Sequence, residues 1–533
     1  MRTIFLITVA AVLIFVTHSC NNAGDGTINN EGDMNKLFND FVAKYEAKVK
    51  PADKNASIAY FNASISGKEE DYNESARLQL EAEKIYASKE DFETLKKLKD
   101  SGKITDPVMK RQLDVLYNDF LSNQIDESRL EEIVNLENAI QMKFSTYRSQ
   151  VGEKQLSDNE IEDVLRSSTN SDELKEAWIA CKKLGPVVAD DIKKVVLMRN
   201  EVAKELGFDN YHEMSLKLSD QNPADVEKLF DELDELTRDT YSALKDEMDA
   251  VLAKKYGISK QELMPWHYQN RFFQQAPRIY EVNLDKYYKD KDLVELTRSF
   301  YAGIGMDVSD IIERSDLFEK PGKDQHAYCT DIDKEGDIRI LCNVRPDYYW
   351  MNTMLHEFGH GVYDKYLDMQ VPYSLRNPAH TFTTEAIAMM FGRLAANAQW
   401  IQDMTGISDE EKTAIAEESY KSMRLEQLVF SRWAQVMYRF EKSMYENPGQ
   451  DLNKLWWDLV EKYQMIKKPA DRNEPDWATK THIANSPCYY HNYLLGELLA
   501  SQLYYYITKN IIKSDDFRGQ SFCNKPEVGK YLI

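Results

Sequence analysis

The sequence predicts a mostly α-helical protein with a small β element set beside a helix of metal-binding character. Three observations predict it. Glycine (21) and proline (15) are scarce for 533 residues, and no Pro/Gly/Ser-rich or low-complexity stretch follows the first thirty, so long helices with short connections are expected. Apolar residues recur at helical spacing in segment after segment. Two strand-like runs with turn chemistry between them precede a His-Glu-Phe-Gly-His string. No linker cuts the chain, so residues 34–533 read as one unit of two lobes although the length would hold three or four average domains.

The first element is a targeting segment. Arg2 precedes the apolar run Ile4 to Val16, which is too short to span a bilayer as a mature helix but suits a signal-peptide core. The run ends at Thr17-His18-Ser19-Cys20, similar to a bacterial lipobox, so residues 1–19 are expected to be removed and Cys20 acylated. Residues 20–33 would then form a polar tether, and the protein is expected to be an exported lipoprotein of the periplasm or outer membrane held by its N-terminal lipid, an ordinary cleaved signal being the alternative. The formal charge of −22 opposes binding to nucleic acid or anionic membrane surfaces, because both need a basic face to displace counterions.

The stripe Leu37, Phe38, Phe41, Val42 and Tyr45 predicts a helix from Met34 to about Lys50, closed by Pro51. A Ser171-Asp172 cap opens a second helix through Trp178 to Leu184; Gly185-Pro186 breaks it before another that runs to Leu206-Gly207. The one region that reads as strand pairs His326 to Thr330 with Ile338 to Cys342 across the turn Asp333-Lys334-Glu335-Gly336-Asp337.

His356-Glu357-Phe358-Gly359-His360 follows, within a run whose apolar residues keep helical spacing. Histidines at i and i+4 stand about 5–6 Å apart on one helix face, so both imidazoles reach a single metal. Zinc takes neutral imidazole and keeps a position open for water, whose proton Glu357 can accept; the string therefore points to metal-assisted hydrolysis with one zinc per chain. Gly359 and Gly361 keep the helix free of bulk for a close neighbour. A HExxHxxGxxH arrangement is excluded, since Tyr363 and Tyr366 hold the places of its glycine and third histidine. A glutamate on a later helix is then the best third ligand. Glu385 opens the apolar segment Glu385-Ala386-Ile387-Ala388-Met389-Met390-Phe391, where a lone carboxylate is expensive unless paired or on a metal; His380 and Asp364 are weaker rivals.

With these residues in view the chain resembles the gluzincin peptidases, and most closely the angiotensin-converting enzyme family of peptidyl-dipeptidases. The zinc segment, then Leu375-Arg376, Asn377-Pro378 and Glu385-Ala386-Ile387, runs like that family's metal site with about one residue inserted before the glutamate. His326-Ala327 is similar to the family's edge strand, whose backbone pairs with bound peptide. Trp266-His267 to Gln275 resembles a segment ending in a substrate-binding glutamine. Lys480-Thr481-His482-Ile483 and Tyr490-His491-Asn492-Tyr493 resemble its lysine, histidine and paired tyrosines.

The resemblance implies a two-lobed helical fold with a deep central cleft, zinc on His356, His360 and Glu385, and Glu357 as general base. It also implies that Tyr493, helped by His482, serves the oxyanion, and that Gln275, Lys480 and Tyr490 hold a peptide's terminal carboxylate. The expected activity is removal of dipeptides from the C-terminus of oligopeptides. Some likeness to thimet-type oligopeptidases keeps an endo-oligopeptidase as the rival, and a non-catalytic peptide-binding lipoprotein is the other.

Departures from the pattern carry their own expectations. Asn492 stands where relatives often place an arginine that binds activating chloride, so chloride should matter little. Met389 replaces an aspartate expected to orient a zinc histidine, so another group must do so. Relatives also continue with further helices beyond the place where Ile533 ends this chain, so the C-terminus is expected to be incomplete. Cys181, Cys329, Cys342, Cys488 and Cys523 form neither a zinc cluster nor a dense disulfide framework; Cys329 and Cys342 flank the hairpin turn and are the one expected pair.

Overall fold

The computed structural model describes residues 31–533 apart from 321 and 325, so the signal segment, Cys20 and most of the tether lie outside the described residues. The fold is mostly helical, with two two-stranded hairpins among the described residues. The first helix runs Glu31–Ser66, taking in the last three residues of the expected tether and passing straight through Pro51. Proline costs a helix interior about 3 kcal/mol, but Pro51 is exposed, and the stripe Phe38, Phe41, Tyr45 and Val49 continues past it to Phe61 on the buried face. Packing on both sides of the proline holds the helix together.

The next expected boundary falls at Lys183, between helices Ser171–Lys182 and Leu184–Glu205, with Pro186 in the first turn of the second. The cap is Asn170 rather than Ser171; its Oδ1 accepts from the amides of Asp172 and Glu173. A hairpin of Ser149–Val151 with Lys154–Leu156 went unforeseen, because three polar-rich residues a side are too few to show alternation. The expected hairpin pairs Tyr328–Asp331 with Ile338–Leu341 antiparallel, so its ladder starts just after His326-Ala327. Cys329 faces Ile340 across it, which leaves Cys342 diagonal to Cys329. Diagonal Cβ atoms lie about 7–8 Å apart, too far for a disulfide, and both thiols are free.

Two large cores explain the two-lobed form. The first joins residues 140–273 to 425–494, and the second joins 284–415 to 500–528. A smaller cluster ties the N-terminal helices, from Met34 to Phe120, onto Tyr373. Two helices cross from core to core. Asp409–Glu446 buries Ile415 in the second and Leu425 through Tyr445 in the first; His491–Tyr506 buries Leu494 in the first and Ala500 in the second. No helix among the described residues is long and apolar enough to cross a membrane.

Candidate metal centre

Asp347 caps the helix Tyr348–Lys365 by accepting from the amide of Trp350 at 2.8 Å, and the helix presents His356 and His360 one turn apart. Their Nε2 atoms stand 3.2 Å from each other, and each is 3.7 Å from Oε2 of Glu385 on the helix Thr381–Gly392. Two glycines set that spacing. A Cβ on Gly359 would lie 2.6 Å from Cα of Ala388, and one on Gly496 would lie 2.9 Å from Cβ of Glu385. The histidine helix, the glutamate helix and His491–Tyr506 thus touch along their backbones at the site.

The donor set fits a zinc ion. Glu385 is 4% exposed; its Oε1 accepts from the Tyr489 hydroxyl at 2.8 Å, while Oε2 is buried without a partner among the described residues. A buried acceptor left unmade costs about 1–3 kcal/mol, more when charged, and this one faces two imidazole nitrogens that a cation would satisfy together with it. Burial lowers His356 to about 4 and His360 well below its ordinary value, so both rings are neutral, the form that binds metal. Thr384 Oγ1 lies 2.7 Å from Nδ1 of His360, a contact that orients the ring with its Nε2 toward the other two groups. Thr384 and Tyr489 escaped the sequence reading. Thr384 meets for His360 the need raised by Met389, and its place one residue before Glu385 was the available signal. The rivals lie elsewhere: Nδ1 of His380 is 3.2 Å from the carbonyl of Ser219, and Asp364 lies near Asp331, outside the group of three that can share an ion.

Glu357 is 8% exposed beside the triad and accepts from the backbone amide of Cys329. Burial and Glu385 push its carboxyl up to about 8, and that amide pulls it back. The hairpin therefore meets the base of the metal site through the Cys329 amide. His326 is exposed at the strand's start and Ala327 half-buried.

A second polar cluster gathers residues from three segments. Lys480 is 8% exposed, and its Nζ donates to Oε1 of Gln274 at 2.7 Å; the Tyr490 hydroxyl donates to the same oxygen at 3.5 Å. The glutamine of this cluster is thus Gln274 and not Gln275, whose Oε1 instead accepts from Arg166 at 3.1 Å and Asn270 at 3.5 Å. The expected segment arrives one residue early, because Phe273 adopts a left-handed backbone (φ 51°) and turns the next side chain inward. Burial, Arg271 and Lys182 lower Lys480 to about 7, and no carboxylate pairs with it at ion-pair distance among the described residues. Aromatic rings join the two clusters: Tyr489, on Glu385, is 5.1 Å from Tyr493, which is 5.2 Å from Tyr490. The His482 ring lies 5.2 Å from Tyr490 and 6.3 Å from Tyr493, and burial, Lys480 and His326 lower it to about 2, so it is neutral.

Residues 33–533 match the family model described as angiotensin-converting enzyme. The chain belongs to the angiotensin-converting enzyme family. It is 22% identical over 549 residues to the angiotensin-converting enzyme of Theromyzon tessulatum, covering 95% of this chain and 86% of that protein. The enzyme of Haematobia irritans exigua is 24% identical over 383 residues, 65% of this chain and 61% of its own length. That of Mus musculus is 21% identical over 404 residues, 70% of this chain but 30% of the mouse protein. Membership in this peptidase family gives the His-His-Glu group its meaning. Asn492 is 7% exposed and accepts at 2.8 Å from the side-chain amide of Gln221.

Proposed function

We propose that the protein is a zinc-dependent peptidyl-dipeptidase that removes dipeptides from the C-terminus of oligopeptides. The observation that carries this is Lys480: a buried lysine within two ring steps of the metal site whose partner, Gln274, is neutral, so that no counter-charge meets it at ion-pair distance among the described residues. A peptide's terminal carboxylate supplies the missing charge, and charge-assisted bonds are about twice as strong as neutral ones. Two extended residues span about 7 Å, the distance at which a carboxylate held at Lys480 would present the second peptide bond from the end. Seating the carboxylate at Lys480, Gln274 and Tyr490 therefore brings the second peptide bond from the end to Glu357 and Tyr493.

His356, His360 and Glu385 would hold the zinc, which when bound supplies Lewis-acid polarisation of a carbonyl and makes water more acidic. Glu357 takes the proton of the attacking water and returns it to the leaving amine, help typically worth about 10²–10⁴-fold. The Tyr493 hydroxyl, with neutral His482 beside it, donates to the developing oxyanion. The edge that begins at His326-Ala327 and continues into Tyr328–Asp331 offers backbone groups to align the peptide.

Mass spectrometry of products from a ladder of synthetic peptides, with free-acid and amidated C-termini and with or without chelator, tests the proposal. Successive loss of dipeptides from free-acid peptides only, abolished by chelator, is expected. Equal cleavage of acid and amide peptides at internal bonds would favour an endo-oligopeptidase, and binding without products a peptide-binding protein. The lipid anchor is a separate proposal. Cys20→Ala should release the protein from membranes with turnover unchanged, and absence of labelled fatty acid from the wild type would remove it.

A further inference from the structure

The segment Cys488–Tyr493 carries three tyrosines with three tasks: Tyr489 on Glu385, Tyr490 on Gln274 and Tyr493 at the cleft. Beside Cys488 and Tyr490 in the first core, it buries two polar side chains. His491 is 2% exposed and Asn492 7%, and one buried side chain serves both. Gln221, 7% exposed in the connection between helices Tyr211–Leu218 and Pro223–Tyr256, accepts from Nε2 of His491 at 2.5 Å and donates to Oδ1 of Asn492 at 2.8 Å. Burial and His212 lower His491 to about 3, so its ring is neutral and the single proton on Nε2 gives the bond its direction.

Both bonds fix orientation as well as depth. An apolar residue could fill the same volume, but only a side chain that accepts on one arm and donates on the other holds His491 and Asn492 in one rotation of the helix. On the opposite flank the Cys488 amide donates to buried Glu441 at 2.9 Å, holding a non-glycine residue at φ 56°. The Gln221 connection also touches the glutamate helix, where the Ser219 carbonyl meets His380.

We propose that Gln221 is a positioning residue: by bridging His491 and Asn492 it sets the rotation of the first turn of His491–Tyr506, and so aims Tyr490 at the substrate carboxylate and Tyr493 at the reacting carbonyl. The inference rests on the peptidase reading above. Because Gln221 acts through the tyrosines and touches no substrate, its effect must depend on them.

The test is a double-mutant cycle on the full zinc-loaded chain with a free-acid peptide. Gln221→Leu should lower kcat/KM by roughly 10-fold with zinc content unchanged, and narrow the preference for acid over amide peptide. In a Tyr493→Phe background the same change should lower kcat/KM by less, about 3-fold or under, because only the share that acts through Tyr490 remains. Asn492→Asp, which keeps an acceptor in a first turn that favours carboxylates, should stay within about 3-fold of wild type, whereas Asn492→Leu should match Gln221→Leu. If Gln221→Leu does not fold, the Asn492 pair makes the same comparison. Equal losses in both Tyr493 backgrounds, or equal behaviour of Asp and Leu at 492, would overturn the positioning role alone. A wild type that turns over no peptide would overturn it together with the peptidase reading.

Discussion

The three metal-facing groups come from two touching helices of the second core, whereas Lys480, Gln274 and Tyr490 come from three separate segments packed on the first. The metal site is fixed by backbone contact at Gly359 and Gly496. The Lys480 cluster hangs on side chains and one left-handed residue, Phe273. The first is closely packed, while the second keeps a buried lysine with no carboxylate at ion-pair distance among the described residues. Under the proposed function, the second core would hold the metal and Glu357, and the first would carry Tyr493 and the groups that hold the peptide's terminal carboxylate.

The largest expected effect breaks the metal-holding half alone. Glu357→Gln should cut turnover by at least about 10²–10⁴-fold while plasma emission spectrometry still finds about one zinc per chain, because Glu357 handles protons and binds no metal. Glu385→Ala should lose the zinc itself; retained stoichiometric metal would move the third ligand elsewhere.

Breaking the carboxylate-holding half should be milder and selective. Lys480→Ala should lower kcat/KM for free-acid peptides by roughly 10–100-fold, the loss of a charged hydrogen bond worth about 1.5–3 kcal/mol. Amidating the substrate should cost the wild type a similar factor, and the two changes together much less than their product, since they remove one interaction. Additive losses in steady-state kinetics would separate Lys480 from the carboxylate.

Gly359→Ala probes the close packing at the metal site. Its Cβ would meet the backbone of Ala388 at 2.6 Å, and no side chain there can yield, so one helix must shift. A destabilisation of about 1–3 kcal/mol in urea unfolding is expected, with weaker zinc retention against a chelator. Unchanged retention would show that the spacing of the two helices is not what holds the ligands.

The smallest effect is one of slope. Lys480 titrates near 7 when folded against an ordinary 10.5, so between those values the unfolded chain holds the extra proton and stability rises with pH. Lys480→Met should remove up to about 1.4 kcal/mol per pH unit from that rise, leaving the share of Lys182, which burial lowers to about 8. Parallel stability curves for the variant and the wild type from pH 7 to 10 would show that Lys480 stays charged.

The same contrast governs what the sequence could tell. His356, Glu357 and His360 are legible because a helix puts i and i+4 on one face, and Glu385 because a lone carboxylate in an apolar helix needs a reason. Thr384 and Tyr489 were not, since a hydroxyl's partner depends on which helices touch. The shift from Gln275 to Gln274 turns on the sign of a single φ, which a phenylalanine does not announce. Pro51 misled for a related reason: its cost is local and legible, while the packing that outweighs it extends to Phe61. Cys329 and Cys342 flank a turn in sequence, but register, set by the ladder, keeps them apart.

The two cores are nested along the chain: residues 284–415 of the second lie wholly between the halves of the first, 140–273 and 425–494. A polypeptide emerging from its N-terminus therefore cannot finish the first lobe until the main stretch of the second has been made, and the second waits in turn for residues 500–528. Contacts of such long sequence separation are closed late and slowly, at a cost in loop entropy that no local helix propensity offsets. The apolar faces of residues 140–273 stay uncovered meanwhile, and such surface is prone to aggregate until its partner segments arrive.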